Sequence, residues 1–128
     1  NRIERRGLLL TGIKMLKVSR GLAEEHYAIH KGKPFYDGLI EYITSSPVVA
    51  MIWQGNKAVE VVRQVLGSTN PTEAAPGTVR ADFAVETGRN LTHGSDSPQT
   101  GDSETKLWFT REELVSWHPA TESWVFET

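Results

Sequence analysis

The densest chemistry in the chain lies in Asn90-Leu91-Thr92-His93-Gly94-Ser95-Asp96-Ser97. His93 stands between a short apolar piece and a glycine, with two hydroxyls and a carboxylate just after it. An imidazole is nucleophilic and partly neutral near pH 7. To act as a nucleophile it needs one ring nitrogen free and the other held by an acceptor. Gly94 is expected to let a bulky anion approach the backbone. The same composition also fits a solvated turn histidine. A second signal is cationic: Arg63, Arg80 and Arg89 flank this segment and the loop before it. A guanidinium presents a planar fork of donors that matches phosphate oxygens, and Thr69 and Asn90 can add neutral hydrogen bonds. Taken singly, each arginine also fits a surface salt bridge. Neither G-x-x-x-x-G-K-[ST] nor G-x-G-x-x-G occurs, so bound phosphates would depend on side-chain cations.

Other patterns carry less. His26 and His30 are four apart, as two zinc ligands on a helix would be, but H-E-x-x-H is absent and no third ligand stands out. Helix packing or solvation is the expectation for both. Asn90-Leu91-Thr92 matches a glycosylation acceptor by coincidence of spelling. Glu24, Glu25, Glu112 and Glu113 read as solvated helix faces, and Phe35 and Tyr36 as core aromatics.

The elements that must position these residues alternate. Asn1 to Arg6 reads as the tail of a helix closed by Gly7. Leu8 to Val18 reads as a strand with apolar residues on both faces, hence buried. Ser19 caps a helix expected to run through His30. Lys31-Gly32-Lys33-Pro34 interrupts it, and Phe35, Leu39 and Tyr42 mark a second helix. Val48 to Trp53 is a continuous apolar run, expected to be a central buried strand. Val59, Val62 and Leu66 form the stripe of a third helix. A loop follows from Gly67 to Gly77, of a length that is often functional. A third strand is expected between Thr78 and Ser97. Ser97-Pro98 then opens a helix, and Thr110 to Glu113 matches a capping box. The aromatic tail, Trp117 to Phe126, is expected to dock on the body or on a neighbouring subunit. This order implies a sheet with helices packed on it.

Composition bounds the function. The chain has 128 residues, enough for one domain that buries about two thirds of the surface its unfolded form exposes. Fourteen Lys+Arg against sixteen Asp+Glu give a net charge of −2, which disfavours a dedicated nucleic-acid binder or an anionic-membrane binder. The absence of cysteine excludes disulfides, thiolate metal sites and thiol nucleophiles. No apolar run approaches the ~20 residues of a spanning helix, and Asn1 to Arg6 lacks a signal-peptide core. A cytoplasmic protein is the expectation.

Read with its surroundings, the His93 segment resembles the active-site signature of the nucleoside diphosphate kinases. The likeness extends through His26-Tyr27, Lys33-Pro34-Phe35, Pro47-Val48-Val49-Ala50-Met51, Gly67-Ser68-Thr69-Asn70-Pro71, Pro76-Gly77-Thr78-Val79-Arg80 and Leu107-Trp108-Phe109, in the family's order and spacing. It implies transfer of the terminal phosphate of a nucleoside triphosphate to a nucleoside diphosphate, by a ping-pong route through a phosphohistidine at His93. Ser95 and Glu104 match the pair that orients the histidine. Phe35 matches the residue that stacks on the base, and Tyr27 a tyrosine near the phosphates. Arg63, Thr69 and Arg80 match phosphate-binding residues, and Asn90 the ribose contact. The resemblance also implies Mg²⁺ arriving with the nucleotide phosphates and no metal held by the protein itself. It further implies a hexameric or tetrameric homo-oligomer with Gly67 to Arg80 as subunit-contact loop. The expected fold is a ferredoxin-like α/β (α+β) sandwich, βαββαβ with an antiparallel sheet, within a single domain over residues 1–128.

The chain begins after the family's opening strand, which bears a Lys-Pro-Asp segment with a phosphate-binding lysine. The expectation is an incomplete sequence of an active enzyme; the alternative is a truncated nucleotide-binding or regulatory member without turnover. Smaller departures are Ser46 and Ala81 where glycine is usual, and Thr100-Gly101-Asp102 in place of Ser-Ala-Glu. Gly101 is expected to weaken the helix that carries Glu104.

Overall fold

The computed structural model describes residues 1–120 and Trp124. The apolar runs on either side of Ser19 to Ser46 form strands that pair with each other. β1 (Leu9–Leu16) and β2 (Val48–Gln54) make an antiparallel ladder, with a bulge at Thr11 between Leu10 and Gly12. The segment between them folds into α1 (Arg20–His26) and α2 (Tyr36–Thr44). α3 (Ala58–Leu66), the short α4 (Val79–Phe83) and α5 (Pro98–Trp108) follow. The result is a mixed α/β fold with an antiparallel sheet.

Local chemistry accounts for the boundaries. Ser19 caps α1 by accepting from the Leu22 N–H, and Ser97 caps α5 by accepting from the Thr100 N–H, with Pro98 at the first helical position. α5 therefore forms despite Gly101. Glycines 7 and 67 adopt positive φ at the ends of their helical segments. At Gly67 the requirement is also steric: a Cβ there would come within 2.5 Å of Thr78 Oγ1.

The core that matters for the site is Val18, Ala23 and Ile40, surrounded by Leu22, Tyr27, Tyr36, Ile43, Val48 and Trp108. It joins α1, α2 and the strand ends to the last turn of α5. Burying Trp108 there fixes where α5 lies, and so where Glu104, one turn earlier, must face.

Several expectations are corrected. The helix from Ser19 stops at His26 and resumes as a single 3-10 turn, Ala28–His30. Among the described residues there is no strand between Thr78 and Ser97; α4 and a 3-10 turn (Thr87–Arg89) stand there instead. Thr78 caps α4 through the Ala81 N–H. The carbonyls of Asn90 and Thr92 are taken by the Arg80 guanidinium rather than by a neighbouring strand. Both strands were expected to be buried on two faces, yet Ile13, Met15, Val49 and Met51 are exposed. The capping box at Thr110 opens only the 3-10 turn Arg111–Glu113. Of the aromatic tail, Trp117 docks on the body by donating from Nε1 to the Leu10 carbonyl at 2.7 Å, while Trp124 is exposed. Phe126 lies outside the described residues.

Candidate active site

Three elements converge on Glu104. α5 carries the carboxylate, the segment after Leu91 brings His93 and Ser95, and the end of α1 brings His26. His93 Nε2 lies 2.9 Å from Glu104 Oε2, and Ser95 Oγ donates to Glu104 Oε1. Burial works against the charge on Glu104. The hydrogen bonds from His93 and Ser95 outweigh it and hold the carboxyl below its usual range. An ionised carboxylate only accepts, so the proton of neutral His93 lies on Nε2 and the lone pair on Nδ1. That leaves Nδ1 of a half-exposed side chain, 46% accessible, as the nitrogen able to attack.

The backbone around His93 is held by two guanidiniums. Arg80, buried, donates to the carbonyls of Gly67 at 2.9 Å, Thr92 at 2.6 Å and Asn90 at 3.4 Å. Arg63, on α3 and exposed, donates to the Gly94 carbonyl at 3.2 Å. The carbonyls on either side of His93 are thus each tied to an arginine. Leu91, between the two carbonyls that Arg80 grips, has φ of 71°, a left-handed conformation disfavoured for leucine. Burial and the nearby Arg63 lower the pKa of Arg80. Two cations close enough to repel favour an anionic ligand between them.

Asn90 Nδ2 donates to the Thr69 carbonyl at 3.3 Å, so these two candidates also meet. Tyr27 packs against the core cluster and edge-on to His26, with centroids 4.6 Å apart. Burial raises its pKa, aided by Glu104, and keeps the phenol a donor. Phe35 is linked to His93 through a series of edge-on and tilted rings: His93 to His26 at 4.5 Å, His26 to Tyr27, Tyr27 to His30 at 6.2 Å and His30 to Phe35 at 5.3 Å. At the end of that series the Phe35 ring is 51% exposed, so it is a surface platform rather than the core aromatic its type implied.

The expectation for Gly94 changes. A Cβ there would lie 2.9 Å from Leu66 Cδ1, so this glycine lets the His93 segment press against α3 rather than opening space for an anion. Sequence reasoning read His26 as a helix residue and gave Trp108 no role of its own, so neither was placed at the site. Trp108 Nε1 donates to His26 Nδ1 at 3.1 Å, and that nitrogen is 3.2 Å from Glu104 Oε2. The available signal was the spacing of Glu104 and Trp108, one turn apart on one face of α5. His26, His93 and Glu104 present ligand atoms within 4.8 Å of one another. Glu104 Oε2 is nevertheless hydrogen-bonded to His93 Nε2, the two rings pack edge-on, and the His26 Nδ1 lone pair is already occupied by the Trp108 N–H.

A family model described as nucleoside diphosphate kinase matches residues 1–114. The chain belongs to the nucleoside diphosphate kinase family. It is 53% identical to a nucleoside diphosphate kinase of Synechococcus sp. over 126 residues, which is 98% of this chain and 85% of that one. It is 52% identical to the enzyme of Archaeoglobus fulgidus, covering 98% of this chain and 83% of the relative. Among solved structures it resembles a halophilic nucleoside diphosphate kinase from Halobacterium salinarum in complex with CDP. The TM-score is 0.95 and the identity 45%, over 98% of this chain and 84% of that one. A family protein from Babesia bovis gives a TM-score of 0.93 at 38% identity, with 98% and 84% covered. The mixed α/β, ferredoxin-like fold expected from the sequence is therefore borne out, and the chain is a nucleotide-binding phosphotransferase of nucleotide metabolism. Nothing in these comparisons favours a member without turnover. Among the described residues no helix is long and apolar enough to cross a membrane.

Proposed function

We propose that this nucleoside diphosphate kinase works by ping-pong transfer through phospho-His93. The supporting observation is the Glu104 contact at His93 Nε2, which leaves Nδ1 as the free nucleophile. Nδ1 attacks the γ-phosphorus, the bond from that phosphorus to the β,γ-bridging oxygen breaks, and the nucleoside diphosphate departs. The acceptor diphosphate then takes the phosphoryl group by the reverse displacement. Glu104 retains the Nε2 proton against the positive charge that develops on the ring, and Ser95 keeps Glu104 in place. Arg63 and the two N–H groups of Arg80 not engaged with carbonyls offset charge on the phosphoryl oxygens.

Thr69 adds a phosphate contact, Asn90 a ribose contact, Tyr27 a donor near the phosphates, and Phe35 a stacking surface for bases of any identity. The site's carboxylate is already bound by Ser95 and His93, and its remaining side chains are cations and neutral donors. This donor set suits Mg²⁺ entering as the nucleotide complex, where it shields phosphate charge, rather than in a protein cage. We read residues 1–128 as one domain of a cytoplasmic homo-oligomer, hexamer or tetramer, with exposed apolar strand residues as support.

Incubation with γ-labelled ATP and Mg²⁺ should place acid-labile, base-stable phosphate on His93. His93→Ala should abolish both labelling and transfer to a second diphosphate; continued exchange by that variant would refute the reading.

A further inference from the structure

His26 stands behind Glu104, and its neighbours dictate where its proton sits. Its side chain is 3% exposed. Nδ1 faces the Trp108 indole N–H at 3.1 Å and Glu104 Oε2 at 3.2 Å. An indole N–H only donates and a carboxylate only accepts, so one ring nitrogen cannot satisfy both. With a proton on Nδ1, two N–H groups would oppose each other. With the proton on Nε2, the lone pair of Nδ1 accepts from Trp108, and that is the hydrogen bond whose geometry is formed.

The groups facing the ring are Glu104 on α5, His93 on its own segment, and Tyr27 and His30 beyond the end of α1. Burial first, and then His93, bring the His26 pKa down to about 4, against the opposing pull of Glu104. The ring is therefore neutral near pH 7, and it offers Glu104 no N–H from Nδ1. Among the described residues the hydrogen bond at Oε2 is with His93 Nε2, and Oε1 serves Ser95. A second donor at Oε2 would divide its accepting power and weaken its hold on the His93 proton.

We propose that His26, its tautomer set by Trp108, is a positioning residue that reserves Oε2 of Glu104 for His93. It also braces the His93 ring edge-on, with planes at 79°. This role rests on His93 being the phosphoryl carrier.

The test begins with the resting wild-type protein, ¹⁵N-labelled and without nucleotide, by long-range ¹H–¹⁵N correlation. His26 should carry its proton on Nε2 and remain neutral between about pH 5 and 8. A proton on Nδ1, or a cationic ring at pH 7, overturns the proposal. Trp108→Phe keeps the aromatic packing and removes the indole donor. The His26 proton should then move to Nδ1, and kcat should fall about tenfold, as for one weakened hydrogen bond, with nucleotide KM unchanged. An unaltered kcat after the proton has moved overturns the proposal. Labelling of His93 in the wild type separates the two readings. Absence of phosphohistidine defeats the ping-pong reading, whereas phosphohistidine alongside a cationic His26 defeats this one alone.

Discussion

At the scale of single residues, the site is organised by what one carboxylate can accept. Glu104 engages Ser95 at one oxygen and His93 at the other, and the neutral His26 ring crowds the second without donating to it. This arrangement has a pH signature in stability. The folded pKa of His26 is below its unfolded value, so between about pH 6.5 and 4 the unfolded chain binds the extra proton. Stability from this group is complete above that window and is lost as pH falls through it. The folded pKa of Glu104 is also depressed, so its contribution is present above the ordinary carboxylate range and is lost as pH falls towards the folded value. Thermal melts should therefore weaken progressively on acidification from pH 7. His26→Gln should flatten the upper part of that dependence, and an equally steep profile in the variant would show that other groups cause it.

At the scale of elements, the arginines differ although the sequence presents them alike. Arg80 holds three carbonyls from two separate segments, whereas Arg63 makes one such contact from an exposed helix face. A lysine ammonium cannot span the three acceptors that a guanidinium fork reaches. Arg80→Lys should destabilise the fold by about 2 kcal/mol and lower kcat, because the strained turn at Leu91 loses its clamp. Arg63→Lys should leave the melting temperature nearly unchanged, within about 0.5 kcal/mol, and act on nucleotide KM and kcat. Equal melting temperatures for the two variants would contradict this division. Within the Thr78 to Ser97 segment the same clamp commits the Asn90 and Thr92 carbonyls, which a ladder there would need, to Arg80.

At the scale of the molecule, the sheet presents a bare apolar surface. Ile13 pairs across the ladder with Met51, and Met15 with Val49, and all four are exposed. Cross-strand apolar pairs left open to water favour association. The 128-residue chain should therefore sediment as a species larger than a monomer. Met15→Glu with Val49→Glu should shift that distribution towards monomer, while a wild-type chain that remains monomeric at high concentration would count against the oligomer.

The sequence by itself determined the family, through motifs that keep their order and spacing, and most helix starts, through caps such as Ser19 and Ser97; the roles proposed for His93, Ser95 and Glu104 came from that resemblance. It also indicated the two strands through their apolar runs. Only the tertiary structure decided that Val49 and Met51 are open, since a run of apolar residues does not say how many layers cover it. Only the tertiary structure could show that Gly94 serves packing against Leu66 and that Arg80 is a clamp on the backbone. The same holds for His26, which looked like helix packing beside His30. Its partners, Trp108 and Glu104, lie some eighty residues away, and a tautomer is fixed by what surrounds a ring in space rather than by its neighbours along the chain.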